Sequence, residues 1–102
     1  MIIDIQLHNE GVTVTLNGRL DTPAAIKAQK DFGELQEHTD KIITLDCSQL
    51  EYISSSGLRL FLALRKETAT KGGKVVILNI NNDVKKVFMM TGFFNLFEIR
   101  NE

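Results

Sequence analysis

The stretch Leu45-Asp46-Cys47-Ser48-Gln49-Leu50-Glu51-Tyr52-Ile53-Ser54-Ser55-Ser56-Gly57-Leu58 decides how the chain is read. It begins in an apolar run, Ile42, Ile43 and Leu45, which lacks clean alternation and reads as a strand buried on both faces, ending near Cys47. A short loop follows. A helix is then expected from about Ser55 to Lys71, stopped by Gly72-Gly73. Serine is a good helix cap because its hydroxyl accepts from an N–H that the first turn leaves unpaired. Three serines in a row exceed what one cap requires. A helix start also favours anions, so a phosphate on one of these hydroxyls would be tolerated while adding about -1.5 to -2 charges to the surface. Gly57 lets backbone or a partner approach the first turn closely.

Upstream, Ile3, Ile5 and Leu7 alternate with polar residues, as do Val12, Val14 and Leu16, with Asn9-Glu10-Gly11 between them. That is a hairpin. Thr22 followed by Pro23 reads as a cap and first turn, and Ala25, Ala28, Phe32 and Leu35 carry an amphipathic helix over roughly 23–37. Downstream, Val75-Val76-Ile77-Leu78 is a second fully buried strand. Asn81 or Asn82 can cap a third helix with Val84, Val87, Phe88 and Thr91 on one stripe, closed by Gly92. The apolar tail, Phe93 to Ile99, docks as a short helical turn and an edge strand. The order β-β-α-β-α-β-α plus tail predicts an α/β fold: a mixed sheet with helices packed on it, in one domain over 1–102.

Composition narrows the function. With 102 residues and a formal net charge of -1, there is no basic field to draw in nucleic acid. A single cysteine, Cys47, suits a reducing compartment, and the acid at Asp4 argues against a leader peptide. A cytoplasmic protein without membrane insertion is expected. Nucleophile chemistry at Ser55 lacks support, since Ile53 stands where a nucleophile elbow needs glycine and only His8 and His38 could act as base. Two histidines and one cysteine do not make a metal site, and Gly72-Gly73 lacks phosphate-loop spacing. No enzyme activity, cofactor or metal is expected. On the second helix, Leu58, Leu60, Phe61, Leu62 and Leu64 spread over roughly 200°, wide enough to pack between the sheet and a neighbouring helix, or partly against a partner. Arg65 falls within that arc, whereas Arg59 lies outside it and close to the serines.

The stretch from Asp46 to Leu58 resembles the signature of STAS domains, in particular bacterial anti-sigma factor antagonists, D-x-S-x-h-x-x-h-D-S-S/T-G-L with h apolar. Asn17-Gly18-Arg19-Leu20-Asp21 is similar to the family's G-x-L-D element, and the likeness covers nearly the whole chain. It implies a STAS-like mixed sheet and a phosphorylation-controlled binding switch that sequesters an anti-sigma factor kinase and frees a sigma factor. Matched residue by residue, Ser55 is the phosphorylated serine, with Ser54 and Ser56 as lesser acceptors. Asp21 would sit beside the phosphorylation loop, and Asp21, Ser54, Ser56, Gly57 and Arg59 would meet the partner. The implied partners are a serine kinase of the histidine-kinase-like ATPase class and a serine phosphatase. Ser54 departs from the pattern, which has Asp there. An accessory STAS subunit of a membrane transporter or signalling scaffold, with no phosphorylation cycle, is the alternative.

Overall fold

The computed structural model describes residues 1–102. Ile2–Leu7 (β1) and Gly11–Leu20 (β2) form the antiparallel hairpin, pairing Ile3 with Leu16 and Ile5 with Val14. Thr22–Gly33 (α1) leads through a 3-10 turn, Glu34–His38, into Ile42–Ile53 (β3). Ser55–Lys71 (α2), Lys74–Leu78 (β4), Asn82–Met90 (α3), a second 3-10 turn, Phe93–Leu96, and Glu98–Arg100 (β5) complete the chain. The sheet runs β1-β2-β3-β4-β5, with every pair after the hairpin parallel.

That strand order has a consequence for layering. The crossovers through α1, α2 and α3 each step one strand in the same direction. Parallel crossovers are right-handed almost without exception, so three steps of one sense place all three helices on one face. A chain of rings joins them: Phe32 of α1 stacks on Phe61 of α2 at 5.9 Å, Phe61 meets Phe88 of α3 at 6.3 Å, and Phe88 meets Phe97 edge-on at 5.9 Å. Leu58, Phe61 and Leu64 are buried and half-buried Leu60 packs on the same core, so most of the apolar arc of α2 lies between the sheet and its neighbouring helices, while Leu62 stays half-buried at its margin.

Four sequence expectations are corrected. β3 is not buried on both faces: Ile43, Leu45 and Cys47 face the core, whereas Ile42 is exposed and Thr44 and Asp46 are half-buried on the helix-free side. Burial on both faces holds only in β4, at Val75, Val76 and Ile77. β3 also continues six residues past Cys47, through the expected loop, because its pairing with β2 shifts register twice. Thr15↔Asp46 is followed by Asn17↔Gln49, and Gly18↔Leu50 by Arg19↔Tyr52, so β3 carries an extra residue each time. Burial then recurs every third residue, at Cys47, Leu50 and Ile53, and the period of two is lost. The cap of α1 is Asp21 rather than Thr22, its carboxylate accepting from the Ala24 N–H at 3.0 Å. The α-helix itself stops at Gly33, and Leu35 is buried from the 3-10 turn instead. At α3, Asn81 is the cap, accepting from the Val84 N–H at 2.8 Å.

α2 opens directly on the ends of β2 and β3. A Cβ on Gly57 would lie 2.8 Å from Leu20 Cγ and 2.9 Å from Ile53 Cγ1, two fully buried side chains. The glycine thus faces the core and sets how closely α2 approaches the sheet. Gly33, at the end of α1, has nothing within 4 Å of such a Cβ. Gly57→Ala is therefore expected to lose about 1–2 kcal/mol, overpacking outweighing the helix-propensity gain, whereas Gly33→Ala gains about 0.5–1 kcal/mol. Phe61→Ala, removing the middle ring, should lose about 3–5 kcal/mol. Urea unfolding measures all three, and a stabilised Gly57→Ala would contradict the packing described.

Candidate functional site

The serine segment is built from the backbone outward. Past the last ladder pair, Leu20↔Ile53, the Ser54 N–H donates to the Leu20 carbonyl at 2.9 Å. That bond ties the end of β3 to the end of β2 and fixes where the chain turns into α2. Ser54 is extended and buried; its hydroxyl accepts from the Gly57 N–H at 3.2 Å and its carbonyl from the Leu58 N–H at 2.9 Å. Ser54, standing where the family pattern has Asp, therefore caps α2 with a short acceptor side chain of its own.

The three serines are placed differently. Ser55, the first residue of α2, is exposed. Ser56 is half-buried and lines a groove between α1 and α2 with Ala25, Ile26, Gln29, Arg59 and Leu60. Gly57 is buried against Leu20 and Ile53, away from solvent. Arg59 is exposed one turn beyond Ser55. Asp21 follows Leu20 directly, which brings it to this end of the sheet, but its carboxylate is half-buried and engaged at the start of α1. No acidic side chain lies in the first turn of α2, so the cap carries no formal charge.

Two features escaped the sequence reading. The Arg19 guanidinium lies 4.5 Å over the Tyr52 ring, beside the serine turn. Their pairing depends on the double register shift of β3, for which the sequence carries no readable signal. Ile26 is 63% exposed on α1, beside Ser56 and Arg59 in the groove. Its position off the Ala25, Ala28, Phe32 stripe was the available signal.

The histidines lie at the other end of the sheet. His8 follows β1 directly, its Nε2 meeting Thr13 Oγ1 at 3.0 Å, and His38 precedes β3, whereas Ser55 follows the end of β3. No imidazole is positioned to draw a proton from Ser55. Burial pushes the Cys47 thiol far above its ordinary value, with the neighbouring Asp46 charge acting in the same direction, so no thiolate is available. No three His, Cys, Asp or Glu side chains converge in a metal-binding arrangement. No helix is long and apolar enough to cross a membrane.

Comparison with known proteins bears on this geometry. The STAS domain family model matches residues 3–102. BtrV of Bordetella bronchiseptica, provisionally named an anti-sigma factor antagonist, is 33% identical over 92 residues, spanning 90% of this chain and 73% of that protein. The anti-sigma F factor antagonist of Paenibacillus polymyxa is 29% identical over 99 residues, spanning 95% of this chain and 84% of its own. The anti-sigma factor antagonist SpoIIAA in its unphosphorylated form has a TM-score of 0.82 at 21% identity, covering 99% of this chain and 88% of that one. Its phosphorylated form, from Bacillus, has a TM-score of 0.76 at 22% identity, covering 99% and 91%. The in-order five-stranded sheet, the helix that opens on a capped serine turn, and a match over all but the first two residues lead to one statement of kinship: this chain belongs to the STAS domain family.

Proposed function

We propose that this chain is an anti-sigma factor antagonist working in the cytoplasm, a binding switch rather than a catalyst, with Ser55 as its phosphoacceptor. The observation that carries the reading is the division of labour in the serine turn: Ser54 is buried and spent on capping, while Ser55 stands exposed in the first turn. The names of the relatives supply the partner class, an anti-sigma factor, and SpoIIAA is a fold neighbour known in phosphorylated and unphosphorylated forms.

In this reading the unmodified domain binds an anti-sigma factor kinase of the histidine-kinase-like ATPase class and so frees a sigma factor. Ser56 and Arg59 beside Ser55 on α2, with Asp21 at the same end of the sheet, are the residues assigned here to meet that partner, and Gly57 serves the interface indirectly by seating α2. The kinase holds ATP. Ser55 Oγ attacks the γ-phosphorus, the bond to the β–γ bridging oxygen breaks, and ADP leaves. The hydroxyl proton passes to a base on the kinase, because this chain positions none. The first-turn N–H groups of Ser55 and Ser56 have no helical acceptor and can receive the new phosphate. Like-charge repulsion and desolvation then disfavour docking without disturbing the fold. A serine phosphatase reverses the change by adding water across the phosphorus–oxygen bond, returning the hydroxyl and releasing phosphate.

The second reading, a transporter or scaffold accessory without a phosphorylation cycle, draws on Ser54 in place of Asp. The cap at Ser54 weakens that motive, since the helix start is held without an acid at that position.

Incubation with the anti-sigma factor of the same genome and ATP should place one phosphate on Ser55, read by peptide mass spectrometry. Ser55→Ala should abolish incorporation and Ser54→Ala should retain it, while costing about 1 kcal/mol of stability through the lost cap. Ser55→Asp should weaken binding of the anti-sigma factor about tenfold or more, equivalent to about 1.4 kcal/mol, with the melting temperature nearly unchanged. Phosphate found only elsewhere, or binding indifferent to charge at Ser55, would refute the switch.

A further inference from the structure

Ser55 and Arg59 are four residues apart in one regular helix, and both side chains are exposed. At that spacing residues are neighbours on the helix surface, with Cβ atoms about 5–6 Å apart, and an anion placed N-terminal to a cation is the favourable order. Arg59 is also uncommitted. The ion pairs of the molecule are Lys71–Glu67, Lys74–Glu98 and Arg100–Glu98, none of them near the start of α2. Arg65, by contrast, donates to the Leu96 carbonyl, and Arg19 lies over Tyr52. Arg59 is therefore the one cation in the first two turns of α2, and it borders the groove that also holds Ser56 and Ile26.

We propose that Arg59 is the internal receiver of a phosphate on Ser55. Its guanidinium turns back one helical turn and donates two N–H groups to phosphoryl oxygens, the bidentate geometry for which arginine is suited. Modification then changes the surface twice at once: it adds the phosphate and withdraws the free cation from the α1–α2 groove. A partner carboxylate paired with Arg59 in the unmodified state would lose its counter-charge at the moment the phosphate arrives. The switch is thereby an exchange of ion pairs as well as a repulsion. This inference rests on Ser55 being the modified residue, as proposed above, but the Ser55–Arg59 juxtaposition itself belongs to the helix.

The test needs no kinase. Phosphoserine is installed at position 55 during translation, and the second ionisation of the phosphate is followed by phosphorus NMR in the parent protein, in Arg59→Gln and in Arg59→Lys. The other charges at this end of the molecule are Arg19, Asp21 and Glu51, with Lys27 near the start of α1 and Asp83 at the start of α3, and these are common to all three proteins. In the parent the midpoint should lie below the value of about 6 for an exposed phosphoserine. Arg59→Gln should raise it by about 0.3–0.5 pH unit, and Arg59→Lys, which keeps the charge and loses the fork, should fall between. The Arg59 Nε–H proton resonance should also shift on phosphorylation in the parent. An unchanged midpoint in Arg59→Gln overturns the proposal while leaving Ser55 free to be a kinase substrate. Failure of the kinase to modify Ser55 instead removes the switch itself and the proposal with it.

Discussion

The hydrogen bond from the Ser54 N–H to the Leu20 carbonyl holds together the parts of this molecule that bear on its function. It lies one residue past the end of the β2–β3 ladder, so it determines where β3 stops. From that residue α2 must start, because the Ser54 hydroxyl and carbonyl are already committed to the N–H groups of Gly57 and Leu58. Gly57 then packs on Leu20 and Ile53, the two residues that close the ladder. A shift of one residue at this junction would rotate α2 by about 100° and carry Phe61 out of line with Phe32 and Phe88. The exposure of Ser55 is thus a by-product of core packing: the residue after a buried cap and two before a buried glycine is left facing solvent.

Much of this was legible in the sequence, and what was legible is local. The hairpin, the span of α2 and its stop at Gly72 depend on alternation, helical spacing and a left-handed glycine, each decided within a few residues. What was not legible is relational. The extension of β3 through Ile53 depends on two bulges against β2, and bulges erase the alternation by which a strand is recognised. The helix-free face of the sheet depends on all three crossovers stepping the same way, which no single segment specifies. Asp21 takes the cap of α1 from Thr22 because the chain leaves the sheet one residue earlier than the threonine implied, so that Thr22 and Pro23 become the first two helical positions and the Asp21 carboxylate accepts from the Ala24 N–H.

The site divides along the same line. A serine turn at a strand–helix junction could be read from residues alone, and so could its match to the STAS pattern. Which serine is free could not, because that depends on the side-chain bond within the turn and on the depth of Ser54. The Arg19–Tyr52 pair and the groove holding Ile26 and Arg59 are products of register and helix packing, and only the folded chain brings them to the serines.

A serine at the cap also has an electrostatic consequence. An aspartate there would place a permanent negative charge at the positive end of α2, where it would be favoured by about 0.3–1 kcal/mol. The same charge would stand beside any phosphate on the next residue and compete with it for the first-turn N–H groups and for Arg59. With Ser54 the cap is neutral, and no acid lies elsewhere in the first turn. The start of α2 therefore gives up some resting stability and keeps its positive field unspent. An anion placed at Ser55 would meet that field whole, so its arrival would change this surface more than an acidic cap would allow.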